Sequence, residues 1–234
     1  HMHVSADAPI QYSALLFVPQ TNPEVLGFGQ GEVAVQLYVK RVLIDAESKD
    51  LLPKFLRFAR GVVDCEDLPL NISRESLQEN AVIRKVRDGL TRKLLDRLQE
   101  LARDDRATYE QFWRSFGRIL KEGYDEFRWH EKLSDLLLFN SSHHDDEEAL
   151  TSLAEYLERK PEAQKAIYFM SGASRAALEH DPRLELFRKK GVEVLYLTDV
   201  ADELVLARIE SYKDTPLKSA DQVAPEELEA LGPA

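Results

Sequence analysis

The chain has 234 residues, 44% hydrophobic and 31% charged, with a formal net charge of −11 at pH 7. That is ample apolar material for packed cores and more length than the usual single domain, so two lobes are expected and wholesale disorder is excluded. The acidic balance argues against general nucleic-acid binding, the one cysteine, Cys65, rules out an internal disulfide, and no long apolar run or leader pattern points to a membrane, which makes the cytoplasm the expected compartment.

Taken in chain order, His1-Met2-His3 reads as cloning residue and is set aside from the fold. Gly27-Phe28-Gly29-Gln30-Gly31 has the look of a phosphate loop, but a strand pattern follows it and no Lys-Ser/Thr ending is present, so it reads as a flexible connection. Strict alternation over Glu32 to Val39 predicts a strand, Asp50 to Phe58 a short helix, and Gly61-Val62-Val63 an apolar strand. A long amphipathic helix is expected from about Arg74 to Arg103, with Ile83, Val86, Leu90, Leu94, Leu98 and Leu101 on one face. Residues Ala107 to Phe139 show no strand pattern and carry Tyr109, Phe112, Trp113, Phe116 and Leu120 at helical spacing; Trp113 and Trp129 therefore read as core. A polar loop spans Ser141 to Glu148, and from Leu150 the order helix, strand, helix, strand, helix predicts parallel pairing. The expected organisation is a large α/β lobe over 9–103, a helical connector over 104–140, a small α/β lobe over 141–223, and the truncated start of a C-terminal domain over 224–234.

The densest chemistry lies in Gly61 to Asn80. Pro69 removes a backbone donor and holds Leu68 extended, and Asn71 and Ser73 are good helix caps. Arg74 then falls in or beside a first helical turn, where the free N–H groups already favour anions, so the cation gains from an anionic ligand rather than from the helix. Gln78 lies four residues on, on the same face, as a neutral donor. Read without further context, Arg74 instead pairs with Glu66, Asp67 or Glu75 and Gln78 is solvated.

This run resembles the signature in the middle segment of the heat shock protein 90 (Hsp90) family of ATP-driven chaperones. Further matches follow in the same order: Tyr12 to Pro19 and Val35 to Ile44 resemble the family's first strands, and Phe112 to Gly123 its helical connector. Ala166 to Gly172 and Leu186 to Leu197 are similar to its smaller lobe. The resemblance implies two α-β-α lobes, the larger one like domain 2 of ribosomal protein S5, joined by the helical connector. It also implies that Arg74, assisted by Gln78, reaches the γ-phosphate of ATP held with Mg2+ in a separate N-terminal domain of the same chain. A guanidinium suits that role because its planar fork holds phosphate oxygens bidentately and stays charged.

Further partners implied by the resemblance are unfolded client proteins and a C-terminal dimerisation domain, so the parent would be a homodimer of bacterial or organelle type. The isolated fragment would be a monomer without ATPase activity of its own. In the family's bacterial branch an Asp-Glu-Trp segment is associated with gripping clients. Here it reads Asp202-Glu203-Leu204, which makes Glu203 and Leu204 the client-binding candidates. The competing reading has Asp202 capping a helix with Leu204 packed inward. A non-catalytic protein-binding α/β module is the alternative function, and a stand-alone nucleotide enzyme is disfavoured because no Walker-type loop is present. His143 and His144 stand beside four carboxylates, but adjacent histidines tend to point apart and no third soft ligand follows, so no metal site is expected. Cys65 sits between Asp64 and Glu66, which raises its thiol pKa and disfavours a nucleophile.

Overall fold

The computed structural model describes residues 1–22, 24, 34–70 and 80–231. These form a mixed α/β chain with two sheets and eight α-helices among the described residues, divided into compact units at 1–123 and 124–234.

The first unit is built on a five-stranded sheet of β1 (Met2–Ala6), β2 (Tyr12–Phe17), β3 (Ala34–Val39), β4 (Val42–Asp45) and β5 (Arg60–Cys65), in the order β1-β2-β5-β3-β4. Only β3 and β5 pair in parallel. The alternation of β2 is complete: Tyr12, Ala14 and Leu16 point inward and Ser13, Leu15 and Phe17 outward, as a strand with one wet face requires. Met2 and His3 pair with Leu16 and Leu15, so residues set aside as cloning remnant are part of this sheet: their backbone groups extend an edge whatever their side chains are. The short helix expected near residue 55 is a single 3-10 turn over Lys54–Leu56.

Helices α1 (Ala81–Asp104) and α2 (Arg106–Lys121) complete this unit. The apolar stripe of α1 buries Ile83, Val86, Leu90, Leu94, Leu95 and Leu98. Its N-cap is Asn80, whose side-chain oxygen accepts from the Val82 N–H at 2.8 Å, so this helix starts at Ala81; the start expected near Arg74 lies outside the described residues. The buried apolar stripe that follows this cap begins at Ile83, and the expected caps Asn71 and Ser73 lie outside the described residues. On α2, Phe112 and Phe116 pack on Phe58 at ring distances of 5.1 and 5.4 Å, and Trp113 is buried as expected. Arg57 ties the end of this helix down through Glu122 (2.5 and 2.8 Å) while also holding Glu24 (2.7 Å).

The second unit opens with α3 (His130–Ser134) and contains a six-stranded sheet. Its strands are β6 (Leu138–Ser141), β7 (Thr151–Ser152), β8 (Ile167–Ser171), β9 (Leu195–Leu197), β10 (Ser211–Tyr212) and β11 (Thr215–Ser219), ordered β10-β11-β8-β9-β6-β7. The expected parallel pairing is present between β8 and β9 and between β11 and β8. Strand β6 begins inside the stretch read as strand-free: Leu138 and Phe139 are consecutive and both buried, so neither shows the alternation that reveals a half-exposed strand.

The connecting helices are α4 (Leu153–Arg159), α5 (Arg175–Glu179), α6 (Glu185–Lys189), α7 (Val200–Ile209) and α8 (Pro225–Glu229). Tyr168, Met170, Leu178, Phe187, Val194 and Tyr196 make the core, and Leu228 of α8 is buried with them. A polar knot sits at Tyr156. Its buried hydroxyl donates to the Glu193 carbonyl at 2.6 Å and accepts from Gln164 Nε2 at 2.9 Å and the Tyr168 N–H at 3.0 Å. Such a hub is stable because every partner of the desolvated oxygen is met.

Candidate functional site

Two groups of residues were picked out for function. For the first, Arg74 and Gln78 lie outside the described residues, and so does the glycine-rich 27–31 stretch. The frame on either side is defined. β5 is the middle strand of its sheet, and the chain leaving it is pinned: the Asp67 carboxylate accepts from the Gln11 N–H at 2.7 Å, the Glu66 N–H donates to the Gln11 carbonyl at 3.1 Å, and Leu68 is buried. Downstream, Asn80 fixes the start of α1 and its carbonyl accepts from the Arg84 N–H at 3.1 Å. Asp67 is thereby occupied by a backbone donor, as is Asp64, which accepts from the Arg41 N–H.

Cys65 is fully buried, and burial first, then the charges of Asp67 and Asp64, push its thiol pKa up. The main cause is desolvation, not the flanking acids that drew notice in the sequence.

The second group is on α7. Its N-cap is Asp199, whose carboxylate accepts from the Ala201 N–H at 3.0 Å. Asp202 is buried within the first turn, while Val205 and Leu206 face the core. Leu204 is 51% exposed, so the inward-packed reading fails: with the cap at Asp199, positions 205 and 206 take the core face and 203 and 204 turn out. Val200, at 79% exposure, lies one turn before Leu204 on the same face. The outer face of α7 therefore presents Val200, Glu203, Leu204, Ala207 and Arg208. Sequence reasoning missed Val200, and also Phe127, which is 84% exposed on its own short turn with no periodic pattern around it to mark it.

His143 and His144 stack edge to face with ring centres 4.8 Å apart, correcting the expectation that they point away from each other. Among the described residues, no group of three His, Cys, Asp or Glu side chains could hold a metal ion. No helix among them is long and apolar enough to cross a membrane.

Comparison with known proteins assigns the chain to a class. The chain belongs to the Hsp90 family: the family's profile, described as Hsp90 protein, matches residues 1–230. Among curated relatives, it is 49% identical to the chaperone protein HtpG of Nitratidesulfovibrio vulgaris over its whole length, covering 37% of that protein. It is 47% identical to HtpG of Desulfotalea psychrophila over 94% of the chain, and 46% identical to HtpG of Geobacter sulfurreducens over the same share. The chain thus spans little more than a third of the length of the relatives it matches.

Proposed function

We propose that this chain is the middle domain of an ATP-dependent Hsp90-type chaperone. In this reading Arg74, assisted by Gln78, completes the ATPase site of an N-terminal domain by contacting the ATP γ-phosphate, with Mg2+ held in that other domain. The observation that carries the reading is family membership over nearly the whole chain at about a third of the relatives' length, together with an arginine and a glutamine four apart in the segment joining the central strand β5 to α1. A guanidinium there supplies fixed positive charge as the phosphoryl group leaves, in the manner of an arginine finger acting in cis.

The same reading makes residues 9–103 a lobe like domain 2 of ribosomal protein S5, 104–140 a helical connector and 141–223 a smaller α/β lobe. The parent is a cytoplasmic homodimer assembled through a C-terminal domain, and unfolded clients bind on the α7 face. The exposed Val200 and Leu204 beside Glu203 support that last point, since solvated apolar side chains on a helix face mark contact surfaces. They also favour the second reading, a protein-binding module without a phosphate role. Titration calorimetry of the isolated chain with ATP and Mg2+ tests the division of labour. Weak or undetectable binding and no hydrolysis are expected, and tight binding contradicts it.

A further inference from the structure

A cleft of the second unit holds about 830 Å3 and lies at the end of α7. One wall carries Tyr124, Phe127 and His130, and the other is formed by Arg208 and the β10–β11 hairpin. Phe127 has the highest exposure of any large apolar side chain among the described residues and rests edge-on against His130 at 5.2 Å. Arg208 is one turn beyond Leu204 on the outer face of α7, so the cleft continues that face. The hairpin wall is a tight turn: Glu210, Lys213 and Asp214 all hold positive φ, and the Leu217 N–H donates to the Glu210 carbonyl at 2.9 Å.

The charges of the cleft are one-sided. Its cations are engaged within the chain: Arg128 lies over the Trp129 ring at 5.0 Å, Lys213 over Tyr212 at 5.0 Å, and Arg208 is 3.8 Å from Asp125. Glu131, Glu210 and Asp214 line the same cleft and have no ion pair among the described residues. The surroundings reinforce this, because residues 1–123 carry 18 acidic and 18 basic side chains and residues 124–234 carry 24 acidic and 13 basic. The whole net charge of −11 therefore resides in the second unit.

We infer that this cleft selects unfolded segments that are both apolar and basic, with Phe127 as the aromatic anchor and the carboxylates of Glu131, Glu210 and Asp214 drawing Lys or Arg. The inference rests on the client-binding part of the proposed function and names the client class. Apolar contact on Phe127 supplies affinity, and the unpaired carboxylates supply selectivity and a faster, salt-sensitive approach.

The test is fluorescence anisotropy of this chain with two labelled unstructured peptides of Ser and Gly bearing the same Leu and Phe residues, one with interspersed Lys and its twin with Glu. The Lys peptide is expected to bind at least about 5-fold tighter at low salt, with the preference shrinking as salt rises. Phe127→Ser weakens the Lys peptide about 5-fold or more without moving the melting temperature, because the ring is solvated, and Glu131→Gln reduces the preference between the twins. Equal binding of the twins, or unchanged binding by Phe127→Ser while Leu204→Ser weakens both, overturns this inference and leaves the client reading standing. Failure of both peptides to bind overturns the client reading as well. A full-length parent that shows no preference between the twins means that other parts of that chain cover the cleft, and that too overturns the inference.

Discussion

Gly61→Ala is the substitution whose cost can be worked most directly from the geometry. Gly61 sits in β5 with φ +144°, and a Cβ built there would lie 2.0 Å from the Leu15 carbonyl oxygen of β2. That neighbour is backbone in a paired strand, held by the register Leu16 to Gly61, so it cannot swing aside as a flexible side chain would. Holding a non-glycine residue in such a conformation costs about 1–3 kcal/mol, and overpacking against a fixed neighbour about 1–3 more. The expected loss is thus about 4 kcal/mol, a large share of the roughly 5–15 kcal/mol that stabilises a domain. Urea unfolding followed by tryptophan fluorescence in a Trp129→Phe background isolates the first unit, since Trp113 is then the sole reporter. With m near 2 kcal/mol per molar urea, the midpoint falls by about 2 M. Val62→Ala, on the half-exposed outer face of the same strand, should cost below about 1 kcal/mol. A Gly61→Ala midpoint within about 0.5 M of the parent refutes the steric argument.

Three further outcomes are expected. Tyr156→Phe removes the one oxygen that serves the Glu193 carbonyl, Gln164 and the Tyr168 N–H, and should destabilise the second unit by about 2–4 kcal/mol, read by Trp129 fluorescence in a Trp113→Phe background. The Glu227 carboxyl is held below the usual range by hydrogen bonds from Lys218 and then Tyr168, so its contribution is present above the unfolded value near pH 4.3 and lost as pH falls through the lower folded value. The stability gap between the parent and Glu227→Gln should accordingly be below about 1 kcal/mol at pH 7, because the pair is one-third exposed, and should vanish on acid titration; a gap that widens in acid contradicts it. Cys65 should resist a thiol-reactive probe in the native chain and react promptly in urea, and rapid native labelling would show the burial to be wrong.

What could be read from the sequence followed periodicity. The alternation of β3 and the apolar stripe of α1 rest on patterns that repeat within one element, and the parallel β8–β9 pair on the order of helices and strands. The misreadings have a different origin. Asp199 and Asp202 are both competent caps on α7, and the choice between them decides whether Leu204 meets core or solvent. Met2 and His3 join β1 through backbone pairing, which no side-chain pattern announces, and β6 hides because its first two residues are both buried. Phe127 was invisible for a related reason. A solitary aromatic on a short turn belongs to no period, and its exposure follows from tertiary packing alone.

The central claim concerns Arg74, and steady-state ATP turnover of the full-length parent carrying Arg74→Ala, with nucleotide affinity measured alongside, tests it most directly. Loss of turnover by about 10-fold or more with affinity nearly intact is the predicted result, since a group that acts on the leaving phosphoryl lowers the barrier and not the binding energy. Turnover equal to that of the parent contradicts the phosphate role and leaves the chain as a protein-binding module.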